Sequence, residues 1–240
     1  MLDWLKKHLS LRPVPQVPAP DRQAAFRQVL ARYPAHVPPH RGPGWHLTPE
    51  QAQQNLDWFK QTLPERLAAL RLVAETGLTL SEAPVQSLDE AKDLVAQLID
   101  WTRDCWPGEP YRPEHTQDSC WVVSERTGDD AIFSVVLDVA TLLGQIIMAG
   151  RSEWRGGLDM DPASLGSQPM FSARRVVLIS PLLGEQRVPA LMDMEALVLD
   201  RYCKPHNLDF TGPLEHDAWM KYVRDGYTGR VIDMMRGNGR

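Results

Sequence analysis

Apolar residues recur every three or four positions through the first 150 residues, with charged residues between them, which is the signature of amphipathic helices. Leu2, Leu5 and Leu9 share one face of the first such segment, and Lys6 and Lys7 lie opposite. A helix this short is unstable alone in water, so the segment must dock on the body, on a partner or on a membrane surface, or else fray. Four prolines between Pro13 and Pro20 then forbid helix and predict an extended spacer. The pattern divides the chain into a segment at 1–11, a spacer at 12–20 and one domain at 21–240. That domain is helical over 21–150 and carries a small sheet over 151–240. Residues 1–19 are expected to add little to the folding of the rest.

Within the domain the start signals are specific. Asp21 caps a helix running to about Tyr33, with Phe26, Val29 and Leu30 inward. Thr48, Pro49 and Gln51 make a capping box with proline in the first turn, and Leu56, Phe59 and Leu63 follow at helical spacing. Pro64 predicts a kink or restart, after which Leu67, Leu70 and Val73 lead to a stop at Gly77. Ser87 and Glu90 form a second capping box, ahead of an apolar face built from Leu94, Val95, Leu98, Ile99, Trp101 and Cys105. Cys120 to Val123 reads as a short strand. Asp129 or Asp130 is expected to cap the most apolar helix, which ends at Gly150.

Beyond Gly150 the period changes. Trp154 to Leu158 and Arg174 to Ser180 read as strands, and Met192 to Tyr202 and His216 to Arg224 return to helix. Helices first, then a small sheet flanked by helices, predict the α+β class.

Composition adds a few exclusions. A chain of 240 residues with 43% hydrophobic and 24% charged residues can bury a sizeable core, which argues against chain-wide disorder. The apolar stretch Ala131 to Ala149 contains Asp138 and Gln145, so it is expected to be a core helix and not an integral membrane segment. No apolar run follows Lys6 and Lys7, and Cys105, Cys120 and Cys203 are scattered and odd in number. Reduced thiols and a cytoplasmic location are the resulting expectations.

Charge is uneven, and this changes the picture of partners. Residues 48–150 hold seven basic and seventeen acidic side chains, whereas residues 1–47 hold seven and two and residues 151–240 twelve of each. Such an acidic region disfavours nucleic acid and favours a basic protein partner. Glu82, Asp89, Glu90 and Asp93 are the candidate binding acids.

No Gly-rich phosphate loop, dinucleotide fingerprint, nucleophile elbow or His-Glu-x-x-His pattern occurs. Cys203 and His206 have a ligand-like spacing, and His115, Asp118 and Cys120 form a looser cluster, but no second tight pair accompanies them. No metal or cofactor is therefore predicted, with Cys203 packed inside and His206 at a helix end. Asp193 and Glu195 fall on different helix faces, which places Asp193 near the helix start, and Asp159 and Asp161 fit a turn before Pro162. The stretch Arg151-Ser152-Glu153-Trp154-Arg155 is the most distinctive. Tryptophan and arginine supply much of the energy at interfaces, so Arg151, Glu153, Trp154 and Arg155 are candidate binding residues. The competing reading makes Arg151 and Glu153 a surface pair with Trp154 covering the core.

The order of apolar helix, Arg151–Trp154 junction, proline-containing turn, Arg174-Arg175-Val176-Val177-Leu178 strand and acidic helix resembles bacterial domains of unknown function of the toxin-immunity type. The expected function is a non-catalytic protein-binding protein of immunity or adaptor kind, acting through an acidic face. A hydrolase or metal-dependent enzyme and a structural subunit stay open as alternatives. An enzyme should show a pocket of convergent polar groups, and a binder an exposed aromatic patch rimmed by charge.

Overall fold

Helix α1 (Ala19–Leu30) buries Phe26, Val29 and Leu30, the stripe its spacing predicts. In this computed structural model the described residues are 19–81, 83–183 and 188–235. The amphipathic segment at 1–11 and most of its spacer lie outside them. Helix α2 (Pro49–Leu70) opens on the expected capping box: Gln51 N donates to Thr48 Oγ1 at 3.2 Å, and Thr48 N to Gln51 Oε1 at 2.9 Å. It runs unbroken through Pro64, so of the expected kink or restart the restart does not occur. Pro64 and Lys60, the residue whose carbonyl loses its partner, are both exposed, so water can satisfy that carbonyl. A 3-10 turn at Arg71–Thr76 continues to Gly77, whose φ of 93° makes the left-handed stop that favours glycine.

Helix α3 (Leu88–Cys105) starts at Ser87, whose Oγ accepts from Glu90 N at 3.2 Å. The reciprocal half of the box shifts by one residue, because Glu90 Oε2 accepts from Gln86 N at 2.8 Å. Its apolar face is buried except at Leu94, which stays half-buried, and Trp101 Nε1 donates to Thr76 Oγ1 at 2.8 Å inside the core. Cys120 to Val123 is not a strand but one helical turn, α4 (Cys120–Val123), entered through Ser119 at φ 69°. β-Branched residues favour strand only where a sheet edge can pair with them. The turn instead buries Trp121 and Val122 and leaves Val123 exposed.

Helix α5 (Ile132–Gly150) is the centre of the fold, with Ile132, Val135, Val139, Leu143 and Ile147 fully enclosed. By length and composition alone the stretch Gly128–Gly150 could cross a membrane, and 78% of its apolar window is buried inside the protein. Neither Asp129 nor Asp130 caps it. Asp130 turns away to accept from Ser124 and His115, and a 3-10 turn at Gly128–Ala131 leads into the helix.

The sheet has three antiparallel strands in the order β1 (Arg155–Leu158), β2 (Val176–Leu183) and β3 (Val188–Met192). Gly157 pairs with Val177 and Leu178 with Met192, and the register shifts between Ile179 and Leu182. Helices α6 (Met194–Cys203), α7 (Leu208–Thr211), α8 (Ala218–Tyr227) and α9 (Arg230–Met235) complete the chain. Packing of α6 and α8 on α5 joins the halves, with Trp101, Trp106, Tyr202, Phe133 and Trp219 in edge-to-face contact. The class is α+β.

Candidate binding surfaces

The Arg151–Arg155 stretch does not form one surface. Arg151 meets Glu153 through two bonds of 3.2 and 2.8 Å and donates to Thr228 O at 2.9 Å. Trp154 is 2% exposed, and its Nε1 donates to Gly226 O at 3.1 Å. These residues stitch the end of α5 to the end of α8. Trp154 thus has no face left for a partner, which corrects its candidacy: an indole gains more from burial with its N–H satisfied than from exposure. Arg155, the next residue along, is exposed on β1.

The acids of α3 are placed differently. Asp89, Glu90 and Asp93 are all exposed in its first two turns, with Lys92 3.5 Å from Asp89, and Glu82 lies outside the described residues. Glu90 and Asp93 stand on the edge of a concavity that, counted with the open solvent over it, spans about 1960 Å³. Three helices fail to close there: the end of α2, the first half of α3 and the second half of α5, with residues 79–81 and 83–86 along one side. Leu67, Leu80, Val85, Leu94, Leu142 and Met148 line it and stay only half-buried. An apolar floor with acids on its edge is the result. Arg71 also lines it. The floor escaped sequence reasoning because Leu142 and Met148 sit in a run that reads as uniformly buried.

Other polar groups are gathered inside the protein and bonded to one another. Arg66 donates Nε to Asp138 Oδ1 at 3.1 Å and Nη2 to Asp138 Oδ2 at 2.6 Å, and Tyr33 Oη donates to the same carboxylate at 2.7 Å. His36 Nδ1 lies 3.0 Å from Asp138 Oδ1, and burial holds this imidazole below its ordinary range. Burial likewise raises the Tyr33 hydroxyl, reinforced by the Asp138 charge.

A second cluster joins sheet and helix starts. Arg126 and Arg175 take the two oxygens of Glu195 at 3.0 and 2.7 Å, and Arg175 also reaches Asp193 at 3.0 Å. Asp193 caps α6 through Ala196 N as its spacing predicts, and burial raises its carboxyl. Arg175 lies over the Trp121 ring, 4.0 Å from its centre.

In a third cluster His115 Nδ1 pairs with Tyr202 Oη at 2.8 Å and Nε2 with Asp130 at 2.9 Å, while Ser124 Oγ donates to Asp130 at 2.7 Å. Burial pushes the Asp130 carboxyl up. The bonds from Ser124 and His115 and the Arg112 charge outweigh it, leaving the group below its usual range. The Cys120 and Cys203 thiols both donate to His115 O, at 3.3 and 3.1 Å. His206 does not finish α6 but faces Glu109 at 3.4 Å on the surface. Among the described residues no three His, Cys, Asp or Glu side chains are grouped to hold a metal ion.

A further apolar patch is exposed where Trp45 meets Phe171 edge-on at 5.5 Å, beside Met170. The turn that carries Trp45 needs Gly44, since a Cβ there would lie 1.8 Å from Ala173 O. No family, curated protein or solved structure matches the chain.

Proposed function

We propose that this is a non-catalytic protein-binding protein whose groove between α2, α3 and α5 takes a basic amphipathic segment of its partner. The observation that carries this reading is the half-buried floor of Leu67, Leu80, Leu94, Leu142 and Met148 with Glu90 and Asp93 on its edge. Apolar side chains left half-covered in one continuous hollow gain from a partner's apolar face, and the acids select positive charge around it. The internal pairing of Arg66 with Asp138, and of Arg126 and Arg175 with Glu195, favours binding over turnover. An immunity or adaptor role suits the same chemistry. A cytoplasmic site of action belongs to the proposal as well, since all three cysteines are free thiols.

Partner capture tests the reading. A photo-reactive amino acid replaces Gln97 in the groove of one chain and Arg155 on β1 of another, both in the native host. Cross-links from position 97 to a basic, helix-patterned segment are expected. Cross-links from position 155 alone, or to an acidic segment, contradict the proposal.

A further inference from the structure

We infer that the hollow between α2, α4 and β2 is a binding site for a small oxyanion, a carboxylate or phosphate group on a free ligand. The hollow, counted together with the open solvent at its mouth, spans about 550 Å³. Three guanidinium groups line it, from Arg126, Arg174 and Arg175, against a single lining carboxylate, Glu195, with His40 nearby. Asp193, which pairs with Arg175 at 3.0 Å, also balances the cluster, so the excess is one positive charge in a chain of net charge −5. Glu195 is taken up by Arg126 and Arg175, one oxygen each.

Arg174 supplies the ligand-directed feature. Its Nη1 donates to the Leu47 carbonyl, while its Nε is buried without a hydrogen-bond partner among the described residues. An N–H buried without an acceptor is costly; the rest of the Arg174 side chain is only half-buried, and its planar fork suits an oxyanion. The backbone gives an independent sign. Arg126 at φ 55° and Arg174 at φ 53° are two of the three described non-glycine residues in the left-handed region, and both line this hollow. Strain of that kind persists where surrounding structure holds a side chain in a required direction. Trp58, Phe59 and Trp121 form the walls, which lower the local dielectric and strengthen attraction between the guanidinium groups and an anion. This inference concerns a different face from the α2–α3–α5 groove and stands apart from it.

The test titrates the full chain with inorganic phosphate and, separately, with benzoate at constant ionic strength, read by tryptophan fluorescence. Saturable binding of at least one is expected, with Kd of about 1–10 mM or tighter. Benzoate alone marks a carboxylate ligand, and phosphate alone a phosphorylated one. Arg174→Asn keeps a residue that tolerates the left-handed backbone, and it should weaken binding at least about tenfold while the fold melts within a few degrees of wild type. The Arg174 Nε–H resonance of the wild-type chain gives a second reading that does not depend on the variant folding. It should shift saturably along the same curve. No saturable response to either probe, an unchanged Nε–H resonance, or undiminished binding by Arg174→Asn would overturn the inference.

Discussion

Arg66 on α2 and Asp138 on α5 meet face to face inside the protein, with both carboxylate oxygens engaged at 3.1 and 2.6 Å. The side chain of Asp138 is 0% exposed and that of Arg66 8%. This pair ties the longest helix to the central one, and Tyr33 and His36 close around it.

Breaking one side of such a pair leaves an uncompensated buried charge. Arg66→Met should therefore lower stability by about 3–5 kcal/mol, and the double variant Arg66→Met, Asp138→Asn by clearly less than the two single losses added together. Urea unfolding of the four chains measures the coupling. Simple additivity would show that the pair does not act as a unit.

Trp154 and Arg155 should behave oppositely although they are neighbours. Trp154 is enclosed and bonded to Gly226 O, so Trp154→Ala should cost about 3–5 kcal/mol. Arg155 is exposed, and Arg155→Ala should stay within about 0.5 kcal/mol. The same unfolding measurement decides it, and a mild Trp154→Ala would show that the indole is not part of the core.

His36 makes stability depend on pH with a definite sign. Buried against Asp138 and Arg66, with Arg126 also acting on it, its imidazole stays neutral in the folded chain to a pH below the ordinary 6.5. The unfolded chain takes up a proton as pH falls past 6.5 and the folded chain does not. The folded state is thus at full advantage above 6.5 and loses stability on acidification, by up to about 1.4 kcal/mol per pH unit, until the folded imidazole itself titrates. Urea midpoints at pH 7.5 and 5.5 should show this drop, and His36→Phe should make it smaller. An identical drop in the variant would assign the effect to other groups.

The thiols should be unreactive. Burial pushes Cys203 up to about 12, and Cys120 is raised by burial as well. A metal or an alkylating reagent needs the thiolate. Native chain at pH 8 should react with iodoacetamide at Cys203 at least about a hundredfold more slowly than unfolded chain. Dialysis against a chelator should leave the melting temperature unchanged. Rapid labelling, or a fall in melting temperature with loss of stoichiometric zinc, contradicts the packing described for His115, Cys120 and Cys203.

Elements governed by local signals were legible in the sequence. Thr48 with Gln51, Gly77 and the stripe Val95, Leu98, Trp101 act through neighbours in the chain, and each stands where its pattern predicts. What was not legible depends on partners far apart. Cys120–Val123 has strand propensity but no edge to pair with, and Asp130 resembles a cap but is drawn off by His115 and Ser124. β3 went unread because a helix was expected from Met192, the residue that ends the strand. At the candidate site the acids of α3 could be read as exposed, whereas the hollow beside them needs Leu67, Leu94 and Leu142 from three separate helices.

The groove reading is tested most directly by the association rate of the basic segment captured at position 97, for wild type and for Glu90→Lys, Asp93→Lys. Opposite charge speeds encounter, and salt shortens its reach to about 8 Å at physiological ionic strength. For wild type, raising salt from roughly 0.05 M to 0.5 M should slow association about tenfold or more, with dissociation changing little. The double variant should already associate slowly at low salt. Association that is indifferent to salt, or equally fast for the double variant, would show that the acidic edge of this groove is not where the partner is met.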